Sequence, residues 1–286
     1  MKNYDALTCY ADRETLDLLI AVGGTLPITG IVDNDMSITL YFDEGVFNDD
    51  ITETLRAWVP EGKEAEFERG LVEEQNWNAE FEQSLQPVRL TERLVITQSW
   101  NPVEPEHEED LVVTIDPKMS FGTGHHESTR LIARLMTRID FKGKRVLDIG
   151  TGTGVLAIIA RKYGAAHILA VDNNEWAVEN TRENIALNDT PDIIVNFGEL
   201  SDVEENDFDI ILANIHRNII IELLPEMVKK LRPSPESAIL TSGVLIADYD
   251  TLLEAAIPHH LAPADEEREN EWIASQFKIQ NDEFKN

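Results

Sequence analysis

At 286 residues the chain is long enough for two domains, and a composition of 42% hydrophobic and 27% charged residues excludes disordered and low-complexity classes. Its 54 acidic side chains against 24 basic ones give a formal net charge of −30 and an isoelectric point near 4.4, so the broad basic surface needed for direct nucleic-acid or anionic-membrane binding is absent. Such charge either serves solubility alone or meets a basic partner.

The single cysteine, Cys9, can neither close an internal disulfide nor build a cysteine zinc site, so nothing depends on an oxidising compartment. No signal-peptide pattern and no apolar run near ~20 residues is present, and the sequence reads as soluble and cytoplasmic. Residues 4–10 alternate as a short strand, and Asp12 then caps a helix carrying Leu16, Leu19 and Ile20 that ends at Gly23 and Gly24. Ile28–Val32 and Met36–Phe42 read as strands joined by the turn Asp33-Asn34-Asp35. Asn48 caps a second helix bearing Ile51, Leu55 and Trp58, which Pro60 stops. This order predicts a small α+β domain over residues 1–60. Between 61 and 83 the composition turns acidic, with Phe67 and Leu71, then Trp77 and Phe81, four residues apart, a spacing that predicts a linker helix with one apolar stripe. A second domain is expected over 84–286. Residues 1–117 hold 7 basic and 26 acidic side chains, net −19 against −11 for the remainder, so the amino-terminal part is the better placed to meet something basic.

Past Pro87 short apolar runs alternate with helical stretches. Arg145–Ile149, His167–Val171, Ile193–Phe197, Phe208–Ala213 and Ala238–Ser242 read as strands, with helices near 155–163, 174–187, 218–231 and 247–256. That succession predicts a parallel sheet covered by helices on both faces, with ligands at the carboxyl ends of the strands. The acidic stretch Glu104–Asp110 reads as a loop.

Chemistry concentrates in the segment from Val146 to Leu156, where an apolar strand runs into alternating glycines and then an apolar helix. Glycine lets the backbone approach a ligand that a β-carbon would exclude, and the start of the helix offers free N–H groups. A dinucleotide fingerprint places glycines first, third and sixth; here Gly150 and Gly152 fill the first two places, Gly154 is fifth, and the sixth is Val155. Asp148 just ahead would repel a pyrophosphate but can accept hydrogen bonds from a cationic amino-acid portion, which fits S-adenosylmethionine. Asp172, 22 residues past Gly150 at the end of the next strand, can accept from both ribose hydroxyls. Nicotinamide cofactors use the same device, so the glycine spacing and Asp148 decide, in favour of a methyltransferase over a dehydrogenase. Asn214 ends the fourth strand in a carboxamide that can contact cofactor or incoming amine without a fixed charge, or can simply cap the following turn. His125, His126 and Glu127 lack H-E-x-x-H spacing, and methyl transfer from a sulfonium needs no metal, so they read as loop residues.

The stretch Asp116-Pro117-Lys118-Met119-Ser120-Phe121-Gly122-Thr123-Gly124-His125-His126-Glu127-Ser128-Thr129 resembles the D-P-x-x-A-F-G-T-G-T-H-x-T-T loop of the PrmA-type ribosomal protein methyltransferases. With the glycine loop and Ala213-Asn214-Ile215, the similarity runs from about Trp77 to Leu240-Thr241-Ser242-Gly243. It implies an α/β, Rossmann-like class I S-adenosylmethionine-dependent methyltransferase domain preceded by a small α+β substrate-recognition domain. The implied activity is N-methylation of lysine and/or α-amino groups of a basic protein of the large ribosomal subunit. Matched by motif, Thr129, Gly150, Asp172 and Asn214 fall on the family's cofactor contacts, and Phe121 and Gly122 stand beside the cofactor. Asp148 and Gly152 join them from the glycine loop, and Asn214 and Phe121 are the candidates for orienting the amine. His125, Ser128, Thr151, Thr153 and His216 depart from the family pattern; they spare the cofactor site and bear on substrate geometry. The alternatives are a methyltransferase of another acceptor (a small molecule, a nucleic acid or a different protein) and a catalytically inactive, cofactor-binding interaction protein. No N-P-P-Y turn follows the fourth strand, which argues against amide and nucleobase methylation.

Overall fold

Alternating apolar residues at the start of the chain form strand β1 (Asn3–Ala11), with Leu7 and Cys9 buried. After it come α1 (Arg13–Gly23), β2 (Gly30–Asn34), β3 (Ser37–Asp43), α2 (Asp49–Arg56) and β4 (Ala65–Glu73). Both expected caps are in place: the Asp12 carboxylate accepts from the Thr15 N–H at 3.1 Å, and Asn48 accepts from the Ile51 N–H at 3.2 Å. The strands pair antiparallel in the order β2-β3-β1-β4, a split βαβ arrangement. Leu16 and Leu19 of α1, Ile51 and Leu55 of α2, and Ile38, Leu40 and Phe42 of β3 close a core around Leu7 and Cys9. Burial pushes the Cys9 thiol up to about 12, which keeps it neutral and inert. The computed structural model describes residues 3–34, 36–73, 84–107 and 109–280. The chain divides into two units, Met1–Trp77 and Asn78–Asn286.

The linker helix expected over 61–83 is not what the described part of that stretch forms. Ala65–Glu73 is a strand paired along its length with β1, from Ala65 opposite Ala11 to Glu73 opposite Asn3, and it carries the amino-terminal fold past residue 60. A spacing of four is even, so it satisfies strand alternation as well as a helical stripe. Phe67, Arg69 and Leu71 share one strand face; Phe67 packs on the core and Arg69 pairs with Asp5 at 2.9 Å. Trp77 and Phe81 lie outside the described residues. Trp58, expected on α2, falls after its end and is exposed.

In the second unit, β5 (Val88–Thr91), β6 (Leu94–Thr97) and β7 (Leu111–Thr114) make a small sheet of their own. There follow α3 (Glu127–Met136), β8 (Arg145–Ile149), α4 (Val155–Lys162), β9 (His167–Asp172), α5 (Glu175–Leu187), β10 (Ile193–Phe197), β11 (Ile210–Asn214), α6 (Arg217–Lys230), β12 (Ala238–Leu245), α7 (Tyr249–Ala256), β13 (Leu261–Glu269) and β14 (Trp272–Ile279). The large sheet has the order β10-β9-β8-β11-β12-β14-β13. Its first five strands are parallel, as expected, and the last two are antiparallel additions. Helices α3, α4 and α5 cover one face through Leu131, Ile158 and Ile185; α6 and α7 cover the other through Ile220, Leu224 and Leu252. This is the Rossmann-like α/β fold, and its strand order reverses between β8 and β11, where such sheets open a ligand crevice.

Strand β13 escaped sequence reading because its sheet-forming side chains are charged. Arg138, just past the end of α3, meets Asp265 at 2.9 Å and also Glu267, while Arg130 and Arg134 of α3 meet Glu269 at 2.5 and 2.8 Å. Guanidiniums on and just past the helix thus face carboxylates that alternate along one side of the strand. Among the described residues no helix is long and apolar enough to cross a membrane.

Candidate active site

The glycine loop leaves β8 with Gly150, Gly152 and Gly154 all at positive φ (67°, 58° and 81°), a backbone that L side chains rarely adopt. The spaces their β-carbons would occupy are filled: at Gly150 by the Ile215 side chain, at Gly152 by the Phe121 carbonyl, and at Gly154 by Thr181 at 2.8 Å. The loop is held from the end of β9. Gly150 and Thr151 N–H groups donate to the Val171 carbonyl at 2.9 and 3.2 Å, and the Gly152 N–H donates to the Asp172 carboxylate at 3.0 Å. The other Asp172 oxygen accepts from the Asn174 N–H at 3.0 Å, so this strand-end carboxylate is fixed in aim before any ligand arrives. Phe197, half-exposed, stands in register with Asp172, and Trp176 is exposed on the first turn of α5. Neither aromatic was singled out in the sequence.

Asp148 is only 1% exposed and accepts from the Thr151 hydroxyl at 2.7 Å. Burial pushes its carboxyl up to about 7, against the hydrogen bonds from Thr151 and the Ala157 backbone that lower it; the Asp172 charge adds a smaller push. An unfolded chain loses this proton near its usual value of 3.8, whereas the folded one holds it to about 7. Stability therefore falls as pH rises through that window and stays lower above it. Asp148→Asn removes this cost, and the ligand-free midpoint should rise by about 4–8 °C at pH 8.5, roughly 2 kcal/mol for a domain of this size, and by less at pH 5.5. Scanning calorimetry at the two pH values checks it; a midpoint lowered or unmoved at pH 8.5 contradicts the burial argument.

Asn214, at the end of β11, donates to the hydroxyl of the fully buried Thr129 at 3.3 Å. Its carbonyl oxygen, Oδ1, is buried with no hydrogen-bond partner among the described residues. A buried acceptor without a donor costs about 1–3 kcal/mol and marks a place for one, as an amine or a bound cofactor would supply. Asn214 pairs in register with Ser242, whose hydroxyl donates to the Ser128 carbonyl at 2.8 Å, so the end of β11, the middle of β12 and the start of α3 meet here. Gly243 permits the approach, since a β-carbon would lie 2.6 Å from the Ile215 carbonyl.

Phe121 is 53% exposed, while its carbonyl accepts from the Thr153 N–H at 2.9 Å. The structure thus brings Phe121, Asp148, Gly150, Gly152 and Asp172 together around one loop, with Thr129 and Asn214 joined to it through Ile215. His126 caps α3 through its Nδ1, which accepts from the Ser128 N–H at 3.2 Å, and its ring lies between Phe121 and Trp272 at 5.2 and 4.7 Å. The His125 carbonyl accepts from Arg130. Among the described residues no group of three or more His, Cys, Asp or Glu side chains is placed to hold a metal ion.

Sequence reading missed a buried ladder on α5. Asn180 donates to the Asp116 carbonyl at 2.7 Å, Asn184 accepts from the Asp116 N–H at 2.9 Å, and Asn188 accepts from the Thr114 N–H at 2.9 Å. Asparagines at four-residue intervals, two within the helix and the third at its C-cap, were the available signal, because Asn is a poor helix former and this spacing puts them on one face.

The family model described as "Ribosomal protein L11 methyltransferase (PrmA)" matches residues 17–280. The chain is 37% identical over 289 residues to the ribosomal protein L11 methyltransferase of Chlorobaculum parvum, with 98% of each chain covered. It is 34% identical over 266 residues to that of Bacteroides fragilis, covering 92% of this chain and 94% of the relative. The crystal structure of ribosomal protein L11 methylase from Lactobacillus delbrueckii subsp. bulgaricus is similar with a TM-score of 0.64 and 29% identity, over 69% of this chain and 100% of that one. With nearly its whole length matched, the chain belongs to the ribosomal protein L11 methyltransferase (PrmA) family and is an S-adenosylmethionine-dependent methyltransferase.

Proposed function

We propose that the protein methylates lysine and/or α-amino groups of a basic protein of the large ribosomal subunit, the one for which its relatives are named. The observation that carries this reading is the unpartnered Oδ1 of Asn214, a buried neutral acceptor at the carboxyl end of the central sheet. An amine can donate to it without a competing ion pair that would hold the nitrogen protonated. Bound S-adenosylmethionine supplies an electrophilic methyl group. Asp172, Gly150, Gly152 and Thr129 would hold that cofactor, and ionised Asp148 would oppose its positive charge. A lysine has an ordinary pKa near ~10.4, so the amine must release its proton to solvent before its lone pair can form the N–C bond as the S–C bond breaks. Asn214 aims the nitrogen lone pair by taking one of its N–H groups, and the exposed Phe121 ring offers an apolar surface for the substrate's alkyl chain. A ribosomal-protein substrate places the reaction in the cytoplasm, and the acidity of the chain suits a basic substrate and gives no basic track for nucleic acid.

Asn214→Ala tests the assignment. Its kcat on the purified ribosomal protein should fall about tenfold, the effect of one lost orienting hydrogen bond, with a smaller change in cofactor affinity. An unchanged kcat would remove Asn214 from the chemistry.

A further inference from the structure

The loop that carries Phe121 is fastened to the glycine loop through its backbone carbonyls. We infer that Thr153 is a positioning residue: its hydroxyl, backed by the Asn184 carboxamide, sets where Phe121 stands beside the glycine loop. This rests on Phe121 lying at the acceptor, as proposed above.

Thr153 is fully buried. Its N–H donates to the Phe121 carbonyl and its hydroxyl donates to the Gly122 carbonyl, both at 2.9 Å. Two successive carbonyls of the acceptor loop therefore end on one residue of the cofactor loop. The approach is so close that a β-carbon at Gly122, where φ is 110°, would stand 2.6 Å from that hydroxyl. Behind it, Asn184 spans the same gap: it accepts from the Asp116 N–H and donates to the Thr153 carbonyl, each at 2.9 Å. On the far side Gly124 seats the loop against Ile96 and Val88, at 2.7 and 3.0 Å from the position of a β-carbon. The loop is thus clamped front and back, and the Thr153 hydroxyl holds it at Gly122 by a group that a substitution can delete while leaving the glycine backbone intact.

Thr153→Val deletes that donor at nearly constant volume and leaves the Gly122 carbonyl facing a methyl group. The loop must then move to find water. Thr153→Ser keeps the donor. The expected result is a kcat about tenfold lower for Thr153→Val on the ribosomal protein, because misplacement of reacting groups acts on the chemical step, with the dissociation constant for S-adenosylmethionine within about threefold of the original and recovery of most of the loss in Thr153→Ser. Hydrogen exchange across residues 117–124 of the full chain reads the same positioning without any acceptor: it should quicken in Thr153→Val and return in Thr153→Ser. A role confined to stability would lower the melting temperature and leave kcat of the folded enzyme and local exchange alone, and that outcome overturns the inference. If the original enzyme transferred nothing to the ribosomal protein, the fault would lie with the substrate assignment, and the exchange comparison would still decide for or against Thr153.

Discussion

Replacing Asp172 by alanine should raise the dissociation constant for S-adenosylmethionine by about 10- to 150-fold, the equivalent of roughly 1.5–3 kcal/mol for loss of a charged hydrogen-bond acceptor. The carboxylate stands at the carboxyl end of β9 beside the glycine loop, with one oxygen on the Gly152 N–H and the other on that of Asn174. Each carboxylate oxygen has a second lone pair, and these remain for the ribose hydroxyls. The substitution therefore removes the ligand's acceptor and one restraint on the cradle together. Asp172→Asn separates the two contributions, since it keeps an acceptor for the Gly152 N–H and loses the charge. Isothermal titration measures both variants; a folded Asp172→Ala protein that binds S-adenosylmethionine as before would mean that another group holds the ribose.

A chain consisting of residues 78–286 should bind S-adenosylmethionine within about threefold of the full-length protein and methylate the ribosomal protein at least 100-fold more slowly in kcat/KM. Every residue proposed to hold the cofactor lies in that unit, from Thr129 to Asn214, and the unit has its own two cores on either face of the sheet. The removed unit carries 17 acidic and 5 basic side chains, the composition expected of a surface that attracts a basic protein. Salt should act in the same direction on the full chain, raising KM as screening shortens the reach of these charges to ~8 Å at physiological ionic strength. A cooperative thermal transition must first establish that the shortened chain is folded. Methylation of the intact ribosomal protein at the full-length rate would return the acidity of the amino-terminal unit to solubility alone.

The cofactor cradle was legible in the sequence because its parts are local: an apolar strand, three glycines, an apolar helix and a carboxylate at the next strand end specify their own geometry. Asn214 was legible as a residue at a strand end, but its orphaned oxygen was not, since that depends on Thr129, 85 positions away in the chain. The elements that went unread take their stability from distant partners. β4 alternates Phe67 with glutamates and becomes a strand because β1 offers it an edge. β13 meets α3 with carboxylates, and three arginines on and just past that helix pair with them. The asparagines of α5 look like ordinary surface residues until the Asp116 backbone is seen to end on them.

The most direct measurement is intact-mass and peptide-level mass spectrometry of large-subunit proteins from cells with and without this chain. A single basic ribosomal protein should lose mass in steps of about 14 Da at lysine or α-amino groups when the chain is absent, and recover it when the purified enzyme and S-adenosylmethionine are added to the unmodified subunit protein. Identical masses in the two cells, or methyl groups recovered only from RNA or a small molecule, would contradict amino-group methylation of a ribosomal protein.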